Sequence, residues 1–148
     1  ALRHSLLQAR RDGQPLALLL LDLDNFKAYN DSLGHPAGDA LIRVFAEVLG
    51  RFSRRPMDLA ARVGGEEFAL LLLDCDAQAA QAIAGQILAA LAERAVPHPA
   101  SPRSAYVTTS IGIAMWRSGQ NAEQLYQVAD AALYEAKQAG KNGYLLAP

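Results

Sequence analysis

Two aspartates stand where an apolar run ends, and their spacing suits binding of a divalent metal. Asp22 and Asp24 flank Leu23 at the end of PLALLLLDLDNF, a run typical of a buried strand and too short to span a membrane. Alternation along a strand sends both carboxylates to the same side of the sheet. Magnesium is commonly held by one or two carboxylates, with substrate phosphates and water as further ligands. Alternatively, the aspartates only end the strand and cap the following helix.

A second acidic pair follows two glycines. Glu66 and Glu67 lie at or beside the predicted tip between MDLAARV and EFALLLL, two strand candidates that are separated by a Gly-Gly pair. Such a pair favours a tight hairpin, because glycine adopts positive φ without steric cost. Turns also collect glycine and charge for reasons unrelated to function. The apolar strand that follows would hold the acids rigidly, and we expect the hairpin to press Glu66 toward Asp22.

The elements that must position these acids alternate between strands and helices. The predicted order is helix, strand, helix pair, β-hairpin, helix, strand, helix, strand, which indicates an α/β (α+β) fold with a sheet of about five strands covered by helices. A turn at SLGHPAG is predicted to separate the helix pair, and VPHPASPRS is predicted to be a flexible loop. The core-facing side chains of the longer helix are predicted to be Leu41, Val44, Phe45, Val48 and Leu49.

Length and composition limit the classes of function. The 148 residues, 51% of them hydrophobic, suffice for a single domain over 1–148. A net charge of -1 without a basic stripe argues against a nucleic-acid partner. A single cysteine and the lack of a long apolar run favour a cytoplasmic domain without membrane contact. The opening segment ALRHSLLQARRDGQP reads as a helix without a cap, so we expect a truncated amino end.

Several blocks of the sequence resemble one family. RVGGEEF resembles the signature of the GGDEF family in its GGEEF form. LDLDNFKAYND and LGHPAGDA resemble the family's first strand, phosphate loop and nucleotide-binding helix, and TTSIGIA and ADAALYEAKQAGKN resemble its carboxyl-terminal half. Agreement of several motifs in order is more specific than any one motif. The resemblance implies a nucleotidyl-cyclase or polymerase-palm-like fold and diguanylate cyclase activity, in which two GTP molecules yield cyclic di-GMP and two pyrophosphates.

The resemblance also implies roles for the acids. Asp22 and Glu66 match the family's ligands for Mg²⁺ or Mn²⁺, with the backbone carbonyl of Leu23 as a further donor. Glu67 matches a second acid that either binds metal or helps to deprotonate the 3′-hydroxyl of GTP. The resemblance therefore implies that Glu66 and Glu67 are the catalytic residues.

The nucleotide is expected to contact a separate set of residues. Asn30 and Asp39 match the family's guanine readers, and a carboxylate accepts from the N1 and N2 donors that adenine lacks, which implies GTP over ATP. The positions that match phosphate contacts are Asn25, Phe26, Lys27, Lys137 and Lys141. Lys137 and Lys141 also have an alternative interpretation without a nucleotide, because cations near the carboxyl end of a helix complement its dipole.

Three departures or additions accompany the resemblance. Position 141 is usually arginine in the family, and lysine cannot form a bidentate fork on phosphate, so we expect a weaker contact. The family's DxLTGLxNRR segment is absent from the start of this chain. Arg55 and Asp58 match the RxxD site at which the family binds its product and is inhibited, although an exposed charge pair is the alternative interpretation.

The symmetry of the product suggests the assembly. Each domain is expected to offer one nucleotide site, so two domains facing each other across a two-fold axis form the simplest catalytic unit. The family usually places a sensory or receiver domain ahead of the catalytic one, and the parent protein can be membrane-anchored. Two other functions stay open: a non-catalytic module that binds GTP or cyclic di-GMP, and a mononucleotidyl cyclase. Scattered histidines and an isolated Ser110 give little support to a zinc site or a nucleophilic triad.

Overall fold

The computed structural model describes residues 13–53 and 59–148. The elements in chain order are β1 Leu16–Leu23, α1 Phe26–Leu33, α2 His35–Gly50, β2 Leu59–Gly64, β3 Glu67–Leu73, α3 Ala77–Arg94, β4 Thr109–Met115, α4 Ala122–Gln138 and β5 Gly143–Leu146. From β1 onward this order agrees with the prediction, whereas most of the predicted first helix lies outside the described residues. Within the described part of the chain, no helix combines the length and the apolarity needed to cross a bilayer.

The strands form one mixed sheet in the order β2-β3-β1-β4-β5. The central strand β1 pairs antiparallel with both β3 and β4, and β5 joins parallel to β4. All eight residues of β1 are buried. The predicted five-stranded sheet is therefore confirmed, and the acids at the end of β1 lie at its middle rather than at its margin.

Alternation along β1 divides the core into two layers. Leu19 and Leu21 join a cluster with side chains from α1, α2 and α3 on one face of the sheet. Leu18 and Leu20 join a second cluster with side chains from α4 on the other face. Each fully buried leucine contributes about 2 kcal/mol, so burial on both faces fixes the strand firmly. The same alternation turns Asp22 toward α4.

Helix α4 packs directly against the sheet at Gly112 of β4. A Cβ at this position would lie 2.2 Å from the backbone N of Leu133 and 2.4 Å from the carbonyl oxygen of Ala129. The contact is made by backbone atoms, so only glycine permits it. This contact sets the distance from α4 to the sheet, and thereby the position of Lys137, one turn beyond Leu133.

Two details of the predicted helix pair are wrong. Helix α2 begins at His35, directly after Gly34, so most of SLGHPAG is helical rather than a turn. Gly34 alone makes the break with φ +92, and Pro36 is tolerated in the first turn, where its missing N–H would have no helical partner. The buried face of α2 includes Ile42, whereas Val44 is only partly buried.

The proline-rich segment between α3 and β4 is anchored, in contrast to the predicted flexible loop. Pro97 and Tyr106 form a β-bridge. His98 N–H donates to the carbonyl of Ala105 over 2.9 Å, and His98 is only 2% exposed. These contacts close the loop on itself, and His98 Nε2, 3.0 Å from the carbonyl of Asn25, holds it against the beginning of α1.

Candidate active site

The GGEE turn lies beside the end of β1. Strand β3 runs antiparallel to β1 with Glu67 opposite Asp22, and Leu23 N–H donates to the carbonyl of Glu66 over 3.4 Å. Gly65 adopts φ +51, a conformation that favours glycine. The hairpin therefore brings both glutamates to the end of the central strand, where the Gly-Gly spacing places them.

Asp22 forms the charged centre of this edge. The residue is 9% exposed, and its Oδ2 accepts a hydrogen bond from Lys137 Nζ over 2.6 Å. Burial raises the pKa of Asp22 above its ordinary value, an effect that Lys137 opposes and that the charges of Glu66 and Glu67 reinforce. The three acids are thus close enough to repel one another. A cluster of this kind favours the approach of additional positive charge.

The donor set fits a hard divalent cation. Asp22 and Glu66 offer carboxylate oxygens beside backbone carbonyls, the ligands that Mg²⁺ and Mn²⁺ prefer. The Lys137 ammonium already places positive charge at Asp22. Over residues 13–53 and 59–148, no group of three or more His, Cys, Asp or Glu side chains is arranged to hold a metal ion. A metal here would therefore need backbone, substrate or water oxygens in addition to the two carboxylates.

Glu67 has a partner that the sequence did not suggest. Tyr126 of α4 donates from Oη to Glu67 Oε1 over 2.8 Å. Burial, together with the hydrogen bond and charge of Glu67 and the charge of Asp130, raises the pKa of Tyr126 to about 12. The phenol thus stays protonated and donating at neutral pH. The two residues are 59 positions apart in sequence, so no local pattern connects them.

Asp24 has a structural role other than capping a helix. Its carboxylate accepts from Thr108 Oγ1 over 2.7 Å, from Ser110 Oγ over 2.6 Å and from Asn142 N–H over 3.0 Å. The residue at the cap of α1 is Asn25, which makes no side-chain capping bond, so the alternative interpretation, in which Asp24 caps the helix, is wrong. Asp24 instead ties the end of β1 to β4 and to the turn before β5.

The predicted phosphate turn begins at Asn25, which adopts the left-handed conformation with φ +56. Its Oδ1 accepts from Lys141 Nζ over 2.9 Å, and its carbonyl lies 3.0 Å from His98 Nε2. Phe26 and Lys27 follow as the first residues of α1, and Lys27 is exposed. The structure therefore brings Lys141 to the phosphate turn and Lys137 to the acids.

The predicted guanine readers lie where α1 meets α2. The Asn30 side chain covers Gly38, since a Cβ on that glycine would lie 1.7 Å from Asn30 Oδ1. The same oxygen is buried and has no hydrogen-bond partner among the described residues. Asp39 follows Gly38 on α2 and is exposed. A buried acceptor without a partner is unfavourable unless something fills the site. The two residues of the predicted inhibitory site, Arg55 and Asp58, lie outside the described residues.

The sequence and this geometry agree with one family. The family model described as "Diguanylate cyclase, GGDEF domain" matches residues 1–143. The chain belongs to the GGDEF-domain family. This GGDEF domain carries the signature as GGEEF, with all four Gly and Glu residues in the turn and its flanks.

Curated relatives of this GGDEF domain carry the name diguanylate cyclase. It is 41% identical over 129 residues to the probable diguanylate cyclase DgcT of Escherichia coli K12, covering 86% of this chain and 28% of the relative. It is 36% identical over 148 residues to diguanylate cyclase DgcS of Shewanella oneidensis, covering 100% of this chain and 48% of the relative. The GGDEF domain thus spans less than half the length of either relative.

A solved structure shows the same fold. The GGDEF domain of DgcB from Caulobacter crescentus, in complex with c-di-GMP, matches with a TM-score of 0.89 and 33% identity. The match covers 98% of this chain and 82% of the DgcB chain. The five-stranded mixed sheet with its helices is therefore the GGDEF fold, as the resemblance implied.

Proposed function

We propose that this GGDEF domain is a diguanylate cyclase that condenses two GTP molecules into cyclic di-GMP and two pyrophosphates. The observation that carries the proposal is the register of β1 and β3, which sets the GGEE turn beside Asp22. The names of the curated relatives support the same activity.

The reaction consists of two equivalent steps. In each, the 3′-oxygen of one GTP attacks the α-phosphorus of the other, a new P–O bond forms, and the bond to the bridging oxygen of the leaving pyrophosphate breaks. The hydroxyl proton passes to a base. Glu67 is a candidate base, because Tyr126 fixes one of its oxygens and orients the carboxylate.

In this proposal Asp22, Glu66 and the carbonyl of Leu23 hold Mg²⁺ or Mn²⁺. When bound, the metal lowers the pKa of the 3′-hydroxyl and neutralises charge on the phosphates. The chain contributes rigidity: β1 is buried on both faces, and the hairpin is hydrogen-bonded to its end. Ligands held in this way need little reorganisation when the substrate arrives.

Recognition of guanine is assigned to Asn30 and Asp39. The side-chain amide of Asn30 contacts the base, and the Asp39 carboxylate accepts from the N1 and N2 donors. Adenine lacks this pair of donors, so ATP would leave the carboxylate unsatisfied. The substrate is therefore GTP.

The triphosphate is assigned to the turn and to two lysines. In this assignment the backbone amides of Asn25, Phe26 and Lys27 face the phosphates. Lys137 and Lys141, which lie at Asp22 and Asn25, supply positive charge. When the triphosphate binds, Lys137 must leave Asp22 and pair with a phosphate. A metal at Asp22 favours this change, because it replaces the positive charge of the lysine.

Regulation and assembly follow from the symmetry of the product. Two copies facing each other across a two-fold axis supply one GTP each, so a homodimer is the catalytic unit. A sensory or receiver domain in the parent protein would control that pairing, with this domain in the cytoplasm. Cyclic di-GMP bound at Arg55 and Asp58 would give product inhibition.

The test is to incubate the purified domain, dimerised through a fused coiled coil, with GTP and Mg²⁺ and to separate the products by chromatography. We expect cyclic di-GMP, and at least about 100-fold less from Glu66→Gln. Glu135→Gln, an exposed change on α4, is the matched control and retains wild-type synthesis. Cyclic GMP would reveal a mononucleotidyl cyclase. Unchanged GTP together with tight binding of cyclic di-GMP would reveal a non-catalytic module.

A further inference from the structure

A polar cavity of about 380 Å³ lies between the anchored loop, which is the proline-rich segment that joins α3 to β4, and the turn that joins α4 to β5. Two cationic side chains, Arg103 and Lys141, contribute to its wall. The neutral polar side chains of the wall include Asn25, Ser101, Ser104 and Thr108. Its described lining contains no carboxylate, and the nearby Asp24 is already engaged by Thr108 and by Asn142 N–H. The cavity is therefore suited to an anion with several oxygens.

The loop holds Arg103 over this cavity. The backbone N–H groups of Arg103 and Ser104 donate to Ser101 Oγ over 3.4 and 3.3 Å, which closes a tight turn. Arg103 Nη1 donates to the carbonyl of Gly140 over 3.3 Å, and both residues line the cavity. Of the five N–H donors of a guanidinium, this bond uses one. The group is thus placed in advance and keeps donors for a ligand.

The cavity continues the proposed phosphate site, because Asn25 and Lys141 belong to both. We propose that Arg103 joins Lys141 in binding the terminal phosphates of GTP here, and then the pyrophosphate that leaves. This inference rests on the proposed function. Arg103 would supply the bidentate fork that Lys141 cannot, so a lysine at position 141 is compensated from the neighbouring loop.

The test compares a ligand that carries the phosphates expected in the cavity with one that lacks them. Affinities for GMP and for 3′-deoxy-GTP, which lacks the attacking hydroxyl, are measured by calorimetry with Mg²⁺ for wild type, Arg103→Gln and Arg103→Lys. Arg103→Gln should bind 3′-deoxy-GTP about tenfold more weakly, as expected for loss of one charge-assisted contact, and GMP within about twofold of wild type. The affinity of Arg103→Lys for 3′-deoxy-GTP should lie between the affinities of wild type and Arg103→Gln. Arg103 is exposed, so both variants should fold.

The control is Arg117→Gln, a change beyond the opposite end of β4, which should match wild type with both nucleotides. Inorganic pyrophosphate alone is titrated in parallel, and Arg103→Gln should bind it about tenfold more weakly than wild type. Equal affinities of Arg103→Gln and Arg117→Gln would overturn the proposal, as would a loss of GMP binding equal to the loss of 3′-deoxy-GTP binding. Lack of pyrophosphate binding by wild type would also overturn it.

These measurements separate this inference from the proposed function. A wild-type domain that makes no cyclic di-GMP but binds pyrophosphate through Arg103 would contradict the synthesis and support the anion pocket. If Arg103→Gln made cyclic di-GMP at the wild-type rate and with the wild-type KM, the synthesis would be supported and the role of Arg103 in the anion pocket would be contradicted.

Discussion

The ammonium of Lys137 lies 2.6 Å from Oδ2 of Asp22, so helix α4 supplies the counterion for the carboxylate at the end of the central strand. The same lysine is proposed to contact phosphate, and the same aspartate to bind metal. A metal bound at Asp22 Oδ2 would take the place of the Lys137 ammonium. The ion pair and the loaded site are therefore alternative arrangements of the same charges.

Removing the counterion should destabilise the metal-free domain and strengthen its affinity for metal. For Lys137→Gln without divalent cations we expect a Tm lower by about 2–4 °C, which corresponds to about 1 kcal/mol for a domain of this size. The affinity for Mn²⁺ should rise, because no ammonium must be displaced from Asp22. Thermal unfolding and the electron paramagnetic resonance signal of free Mn²⁺ measure the two effects. Arg43→Gln, an exposed change on α2, is the control, and unchanged Mn²⁺ affinity in Lys137→Gln would contradict the competition.

Neutralising Asp22 should have the opposite effect on stability. Because burial raises the pKa of Asp22, the folded state holds the proton more tightly than the unfolded state does. The associated stability is present below the unfolded pKa of about 3.9 and is lost as the pH rises through the folded pKa. At pH 8 the ionised carboxylate is therefore unfavourable, and Asp22→Asn should raise the Tm by about 2–4 °C.

The pH dependence distinguishes this effect from an ordinary packing change. The difference in Tm between Asp22→Asn and wild type should shrink as the pH falls toward 4, since the wild-type carboxyl then takes up its proton. Mg²⁺ should raise the Tm of wild type but not of the variant. A difference in Tm that stays constant between pH 8 and pH 4 would show that charge at Asp22 is not its cause.

Loss of the phenol at position 126 should impair catalysis more than stability. Tyr126→Phe frees Glu67 to rotate, so we expect kcat for cyclic di-GMP synthesis to fall about tenfold, with KM for GTP nearly unchanged. Tyr134→Phe is the control, because Tyr134 lies on the same helix and is 64% exposed. Equal kcat values for the two variants would mean that the hydrogen bond to Glu67 has no catalytic role.

The ionisation of Tyr126 gives an independent readout of the same contact. With its pKa raised to about 12, this phenol should ionise well above an ordinary tyrosine in absorbance titrations at 295 nm. The stability linked to its proton is present below pH 10 and is lost as the pH rises through about 12. The late step should be absent from Tyr126→Phe and present in Tyr134→Phe. A titration with the same late step in both variants would assign it to another tyrosine.

The sequence predicted the parts of this site that depend on local rules. Alternation along β1 and the Gly-Gly turn follow from steric preferences within a few residues, so the meeting of the GGEE turn with the end of β1 could be predicted. The contact of Tyr126 with Glu67 and that of Arg103 with Gly140 join residues 59 and 37 positions apart. They depend on how α4 and the anchored loop pack against the sheet, for example on the backbone contact at Gly112, and such packing leaves no periodic signal.

A substitution at the junction of α1 and α2 should separate nucleotide recognition from folding. A Cβ at Gly38 would lie 1.7 Å from Asn30 Oδ1 and 2.8 Å from Asn30 Cγ, so Gly38→Ala must displace that side chain. We expect affinity for GTP to fall about tenfold, because the displaced Asn30 side chain would lose its contact with the base. The preference for GTP over ATP should fall with it. Calorimetry with 3′-deoxy-GTP and 3′-deoxy-ATP measures the affinity and the preference.

The chain offers a matched control for this change in Gly85, a glycine inside helix α3. A Cβ there meets nothing within 4 Å, so Gly85→Ala should raise stability by about 0.5–1 kcal/mol, as alanine does in an open helical position, without altering nucleotide affinity. In Gly38→Ala the higher helix propensity of alanine is offset by the clash with Asn30. The free energy of unfolding of Gly38→Ala should therefore be lower than that of Gly85→Ala. If Gly38→Ala bound GTP as tightly as Gly85→Ala, Asn30 would not be the residue that reads guanine.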